Sequence, residues 1–188
     1  MASAQKILNL LLKQIFSQMN TTFLKTLVLL LALTSAAFAQ DKIPNIQLKD
    51  LGGNMIDANL LENDGKPMII SFWATWCKPC VRELNAINDQ YIDWQDEAGV
   101  KLVAISVDDS RNSSRVKPFI TSQGWEYEVY LDENQELKRA LNVNNIPHTF
   151  LIDGNGEIVW QHNGYMTGDE DHLYELIQKL TRGEAISE

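Results

Sequence analysis

Cysteine is almost absent from this chain: among 188 residues there are two, Cys77 and Cys80. Exported proteins that rely on disulfides for stability use many of them, and a bridge closing so small a loop restrains the unfolded chain little. Stabilisation is therefore a poor reason for the pair, and redox exchange and metal binding remain. Acidic residues are missing from the first 39 positions, although the whole chain carries a formal net charge of −9. That overall sign repels nucleic acid. No internal repeat or low-complexity linker is present, and Gly52-Gly53 lacks the strand-to-helix context of a phosphate-cradling loop. With 45% apolar and 22% charged residues, the composition excludes disorder and fits one domain with a buried core.

The acid-free segment holds three lysines (Lys6, Lys13, Lys25) and the apolar run TLVLLLALTSAAFA from Thr26 to Ala39. The run is shorter than the roughly 20 residues that span a bilayer, and it ends in the small-x-small pattern Ala37-Phe38-Ala39. We read residues 1–39 as an export signal cleaved after Ala39, with residues 40–188 as the mature domain and an extracytoplasmic, periplasm-type location. Met19 begins a compact n-region of its own, so Met1 to Gln18 reads as an over-extended start; its ILNLLLKQIF stretch is alternatively an amphipathic surface helix. Contact with a membrane is expected only through a retained signal. Residue 40 is Gln, which excludes a lipid anchor attached to a cysteine at the cleavage point. Cleavage loses three lysines and no acid, taking the charge from −9 to −12.

Along residues 41–66 the text is rich in turn formers, and predicts a hairpin and a short helix. Pro67 to Ala74 is a continuous apolar run suited to a central strand. Val81, Leu84, Ile87, Tyr91 and Trp94 then recur at three- and four-residue spacing, which predicts one helix, and Lys101 to Asp108 predicts the next strand. Strand, helix, strand with short joints is a right-handed βαβ unit. Further on come a short helix interrupted near Pro118, the strand YEVYLD, the helix ENQELKRAL, two strands flanking Gly154-Asn155-Gly156 as a hairpin, and a last helix from about Asp169 to Leu180.

This placement sets Cys77 where the central strand meets the first turn of its helix. Unpaired backbone N–H groups and the helix dipole stabilise an anion there, and Lys78 adds positive charge. Cys77 is thus the expected nucleophilic thiolate. Pro79 is tolerated in a first helical turn and stiffens the joint, while Cys80, less exposed, is placed to resolve a mixed disulfide.

FWATWCKPC, in its strand-to-helix setting, resembles the active-site segment of the thioredoxin superfamily. NNIPHTFLID resembles that family's cis-proline loop, with a cis bond between Ile146 and Pro147, and Gly164 falls where the family commonly has a glycine. The likeness runs from about Ile43 to Thr181. It implies an α/β thioredoxin-like fold: a central mixed sheet flanked by helices, with an N-terminal hairpin extension and a small helical insert around Arg111 to Gln123. The signal, hairpin and insert are similar to the extracytoplasmic TlpA/ResA-like branch. Cytoplasmic thioredoxins have an Asp where this chain has Ser71; the branch instead has a glutamate where this chain has Glu83, which the resemblance makes the proton acceptor for Cys80. The resemblance further implies substrate contacts at Trp76, Lys78, Pro79, Ile146 and Pro147, no cofactor, and no metal. Its implied partners are protein disulfides, for example in cytochrome c maturation, and a membrane thiol–disulfide electron donor.

Three other readings compete with this one. A peroxidatic site needs Pro and Thr or Ser where Ile70 and Ala74 stand. A Sco-like copper carrier would use Cys77, Cys80 and His148 as soft ligands, although proteins of that kind separate their cysteines by three residues. A purely structural module would make the cysteines dispensable. His148 itself either faces the thiols or, by strand alternation, points away; Trp73 is expected in the core, and His162 and His172 on the surface.

Overall fold

Pro67 leads into six consecutive buried residues, Met68–Trp73, which form strand β3; such a run can satisfy its backbone and side chains only in the middle of a sheet covered on both faces. The computed structural model describes residues 42–186, and β3 lies inside its seven-stranded sheet, ordered β2-β1-β5-β4-β3-β6-β7. The remaining strands are β1 (Gln47–Asp50), β2 (Met55–Asp57), β4 (Lys101–Ser106), β5 (Glu128–Leu131), β6 (His148–Ile152) and β7 (Ile158–Asn163). β3, β4 and β5 run parallel, whereas β1 joins β5, and β6 joins β3, in antiparallel register. The sheet is mixed, as expected, and the lead-in segment forms the β1–β2 hairpin followed by a 3-10 turn at Ala58–Leu60. The proposed signal, its start at Met19 and its cleavage after Ala39 lie outside the described residues.

Helix α1 (Lys78–Asn88) follows β3 directly, and α2 (Tyr91–Ala98) returns the chain to β4. The single helix expected from the apolar stripe is therefore two. Leu84, Ile87, Tyr91 and Trp94 are all buried, so the stripe is continuous in space while the backbone breaks at Asp89 and Gln90. Asn88 and Asp89 are residues whose side chains compete for backbone hydrogen bonds, and the Gln90 amide bonds the Ile87 carbonyl, three residues back. Periodicity reports which face is buried, not whether the helix is unbroken. Gly99, in left-handed conformation at φ 62°, ends α2.

The insert differs from expectation in the same manner. Pro118 does not interrupt α3 (Val116–Gln123) but stands in its first turn, where a missing N–H costs nothing. Packed against this insert is Trp73, at the end of β3, whose ring lies 5.0 Å from Trp125 and 5.8 Å from Phe119. The insert thus buttresses the strand end that carries the cysteines. Helices α4 (Glu136–Ala140) and α5 (Asp169–Thr181) complete the fold, with Leu173, Leu176 and Ile177 of α5 buried.

Candidate active site

Ala74, Thr75 and Trp76 connect β3 to α1, and two carboxylate contacts fix their path. The Thr75 amide donates to Asp108 Oδ2 at 2.8 Å, and the Thr75 hydroxyl donates to Oδ1 at 2.7 Å. Asp108 is fully buried and also accepts from the Ser106 hydroxyl at 2.9 Å. Sequence reading missed this aspartate as an anchor. The signal was present: β3 and β4 pair in parallel with Trp73 opposite Ser106, so the residue two beyond β4 falls beside the residue two beyond β3.

Cys77 is the N-cap of α1, and its sulfur accepts the Cys80 amide at 3.3 Å. Pro79 occupies the second helical position, as expected. Cys77 and Cys80 are joined in a disulfide. Cys77 keeps 5% of its surface exposed and Cys80 none, the order expected of an attacking and a resolving sulfur. Across from them, the Ile146–Pro147 bond is cis, and the Ile146 carbonyl oxygen lies 3.8 Å from the Cys77 sulfur. The Pro147 carbonyl accepts from the Gly164 amide at 2.8 Å; Gly164 takes φ 91°, a conformation that favours glycine. Two loops that are distant in sequence therefore meet at the disulfide, and a third, at Gly164, holds the proline loop.

Glu83 lies one helical turn beyond Cys80 on the inward face of α1, with only 5% of its surface exposed. Its Oε1 accepts from the Thr149 hydroxyl at 2.7 Å and its Oε2 from the Ser71 hydroxyl at 3.1 Å. Burial pushes this carboxyl up to about 7, the two hydroxyl donors pull it down, and the charges of Asp169 and Glu170 push it up further. A buried carboxyl poised near neutrality, one helical turn from a cysteine, is suited to proton exchange. The positions of Ser71 and Glu83 explain each other: with no acid on the strand, the buried carboxyl comes from the helix.

The AhpC/TSA family model matches residues 39–161. The thiol-disulfide oxidoreductase ResA of Bacillus thuringiensis is 33% identical over 138 residues, which span 73% of this chain and 76% of the relative. The chain belongs to the AhpC/TSA family, among its thioredoxin-like thiol-disulfide oxidoreductases. A thioredoxin-like protein from Porphyromonas gingivalis has 52% identity and a TM-score of 0.68, covering 74% of this chain and 92% of its own. A thiol:disulfide interchange protein DsbE from Chlorobium tepidum has 26% identity and a TM-score of 0.65, covering 76% and 96%.

The other site residues expected of this AhpC/TSA-family member divide by exposure. Trp76 is 65% exposed and Lys78 is also exposed, Pro79 and Ile146 are partly covered, and Pro147 is buried. Trp73 is wholly in the core. His148 does not join the cysteines. It opposes Phe72 in the β3–β6 register while its neighbour Thr149 reaches Glu83, so alternation turns its ring to the other face of the sheet. There it packs on Phe150 at 4.6 Å and pairs through Nε2 with Gln161 Oε1 at 3.1 Å. Burial holds its pKa below the ordinary imidazole value. The copper-carrier reading thereby loses its third ligand: among the described residues no group of three His, Cys, Asp or Glu side chains is placed to hold a metal ion. His162 pairs with Asp169 at 3.3 Å and His172 with Glu175 at 3.7 Å, both at the surface.

Proposed function

We propose that the protein is an exported reductase of protein disulfides that works through Cys77 and Cys80, with Glu83 as the internal proton acceptor. The observation that carries this reading is the seat of Cys77 at the start of α1, the helix whose inward face also carries a buried carboxyl held near neutrality. In the reduced protein, the Cys77 thiolate is stabilised by the helix terminus and attacks one sulfur of a substrate disulfide. A mixed disulfide forms, and the other substrate sulfur leaves as a thiolate, which takes up a proton. The Cys80 thiol passes its proton to Glu83, and the resulting thiolate attacks the Cys77 sulfur. The Cys77–Cys80 bond forms, the second substrate thiolate departs, and it collects the proton from Glu83. Two electrons move from the protein dithiol to the substrate disulfide.

Each turnover then requires a dithiol donor to reduce Cys77–Cys80 again; for an exported enzyme we assign this role to a membrane thiol–disulfide partner. Trp76 offers an exposed aromatic face beside the nucleophile, flanked by Lys78, Pro79 and the Ile146–Pro147 loop. Together they would receive an extended chain such as apocytochrome c or another exported protein. The signal-like segment at residues 1–39 supports the extracytoplasmic assignment, and among the described residues no helix is long and apolar enough to cross a membrane. A peroxidatic reading is disfavoured by Ile70 and Ala74, both buried apolar residues where that chemistry needs Pro and a hydroxyl.

Direction is tested by equilibrating the mature domain with glutathione mixtures and measuring the dithiol fraction. A midpoint more reducing than about −200 mV is expected of a reductase, while a midpoint near the roughly −120 mV of a strong oxidant reverses the assignment.

A further inference from the structure

Glu83 is buried by α1 above and the sheet below, and its carboxylate is met from the sheet by a matched pair. Ser71 of β3 and Thr149 of β6 are direct cross-strand partners. Each donates its hydroxyl to a different oxygen of Glu83, at 3.1 Å and 2.7 Å, and both are buried to at least the same degree as the carboxylate. Antiparallel pairing puts opposed residues on one face of a sheet, within about 5.5 Å of each other, which is a spacing that one carboxylate can bridge. We propose that this cross-strand hydroxyl pair is a positioning device that fixes the Glu83 carboxylate and keeps it hydrogen-bonded whether or not it carries the proton of Cys80.

The chemistry of the hydroxyl is what suits it to both states. A carboxylate only accepts, and a carboxylic acid must also donate. An amide N–H or an ammonium group in place of Ser71 or Thr149 would satisfy the ionised form and face the acidic O–H with no acceptor. A second carboxylate would repel the first. A hydroxyl donates to the ionised form and, by rotating about its C–O bond, accepts from the protonated one, so neither state leaves a buried polar group unpaired. The other groups that face Glu83 do not do this. Asp169 and Glu170, on α5, oppose its ionisation through their charge. Tyr127, just before β5, and Tyr165 of the loop before α5 feel the charge of Glu83, but their hydroxyls are directed to the Leu84 carbonyl and the Glu170 carboxylate. Among the described residues, it is the strand pair that is hydrogen-bonded to the two carboxylate oxygens.

This role rests on the reading of Glu83 as the proton acceptor, and the test separates the two. Carboxyl carbon NMR of the oxidised protein reports the titration of Glu83 directly, with Glu83→Gln used to assign the signal. The wild-type midpoint is expected at about 7. In Thr149→Val, which conserves shape and removes the hydroxyl, loss of a donor to the charged form should shift it alkaline by about one unit, a tenfold rise in proton affinity. Thr149→Ser should restore the wild-type midpoint, and Ser71→Ala should give a smaller alkaline shift because its hydrogen bond is longer. The alkaline shift in Thr149→Val should also appear in the pH profile of disulfide reduction. A carboxyl titration unchanged in both Thr149→Val and Ser71→Ala, or a Thr149→Ser variant that behaves like Thr149→Val, overturns the clamp even where Glu83→Gln alters the profile. A reductase pH profile unaltered in Glu83→Gln overturns the acceptor role and this device with it.

Discussion

Replacing Cys77 with serine should reduce insulin disulfide reduction to the rate of the dithiol reductant alone, with the fold intact. The expected loss is complete because the serine hydroxyl is not ionised at neutral pH and cannot form the mixed disulfide. Cys80→Ser should behave differently. Its Cys77 still attacks, but nothing resolves the product, so a covalent adduct with the substrate accumulates and is released by added reductant. Non-reducing electrophoresis distinguishes the two variants. Equal adduct formation in both would mean that the order of attack assigned to the sulfurs is wrong. A Cys77→Ser variant with full activity would restore the structural reading of the pair.

Glu83→Gln is the second large effect. Glutamine keeps the shape and cannot accept the Cys80 proton, so the resolving step should slow by about a hundredfold, the lower end of what a positioned base contributes. The pH dependence of reduction between 6 and 8 should flatten. Stability should change with the opposite sign from function. The folded carboxyl is raised to about 7 from an ordinary 4.5, so the folded state binds the proton more tightly than the unfolded chain. The stabilising contribution of Glu83 is therefore complete below about pH 4.5 and is lost as the pH rises through 7, at roughly 1.4 kcal/mol per pH unit across that window. Urea unfolding of the oxidised forms should show wild type losing stability relative to Glu83→Gln between pH 5 and 7. Parallel pH curves for the two proteins would show that Glu83 does not titrate in that range.

The features legible in the sequence are those set by local pattern. β3 announces itself as an unbroken apolar run, the Cys77 helix start follows from its position, and the cis bond before Pro147 was marked by the motif around it. Glu83 was also within reach, because on a helical wheel it falls between Cys80, Leu84 and Ile87, on the face that turns inward. Features that depend on long-range register were not legible. That Thr149 and Ser71 meet on one carboxylate follows from the pairing of β3 with β6, strands separated by more than seventy residues. The Asp108 anchor of Thr75 likewise depends on the β3–β4 register. The break at Asp89 and the position of Pro118 were misjudged for a different reason: an amphipathic stripe specifies a face, and a proline's effect depends on whether it stands in the first turn or beyond it.

The central claim is that Cys77, in the reduced protein, is a thiolate near neutral pH because it caps α1. Its direct test is the rate of Cys77 alkylation by iodoacetamide as a function of pH, measured in Cys80→Ser. A rate that reaches half its plateau well below the free-thiol value of about 8.5 is the predicted result. A half-plateau at or above that value would contradict the account.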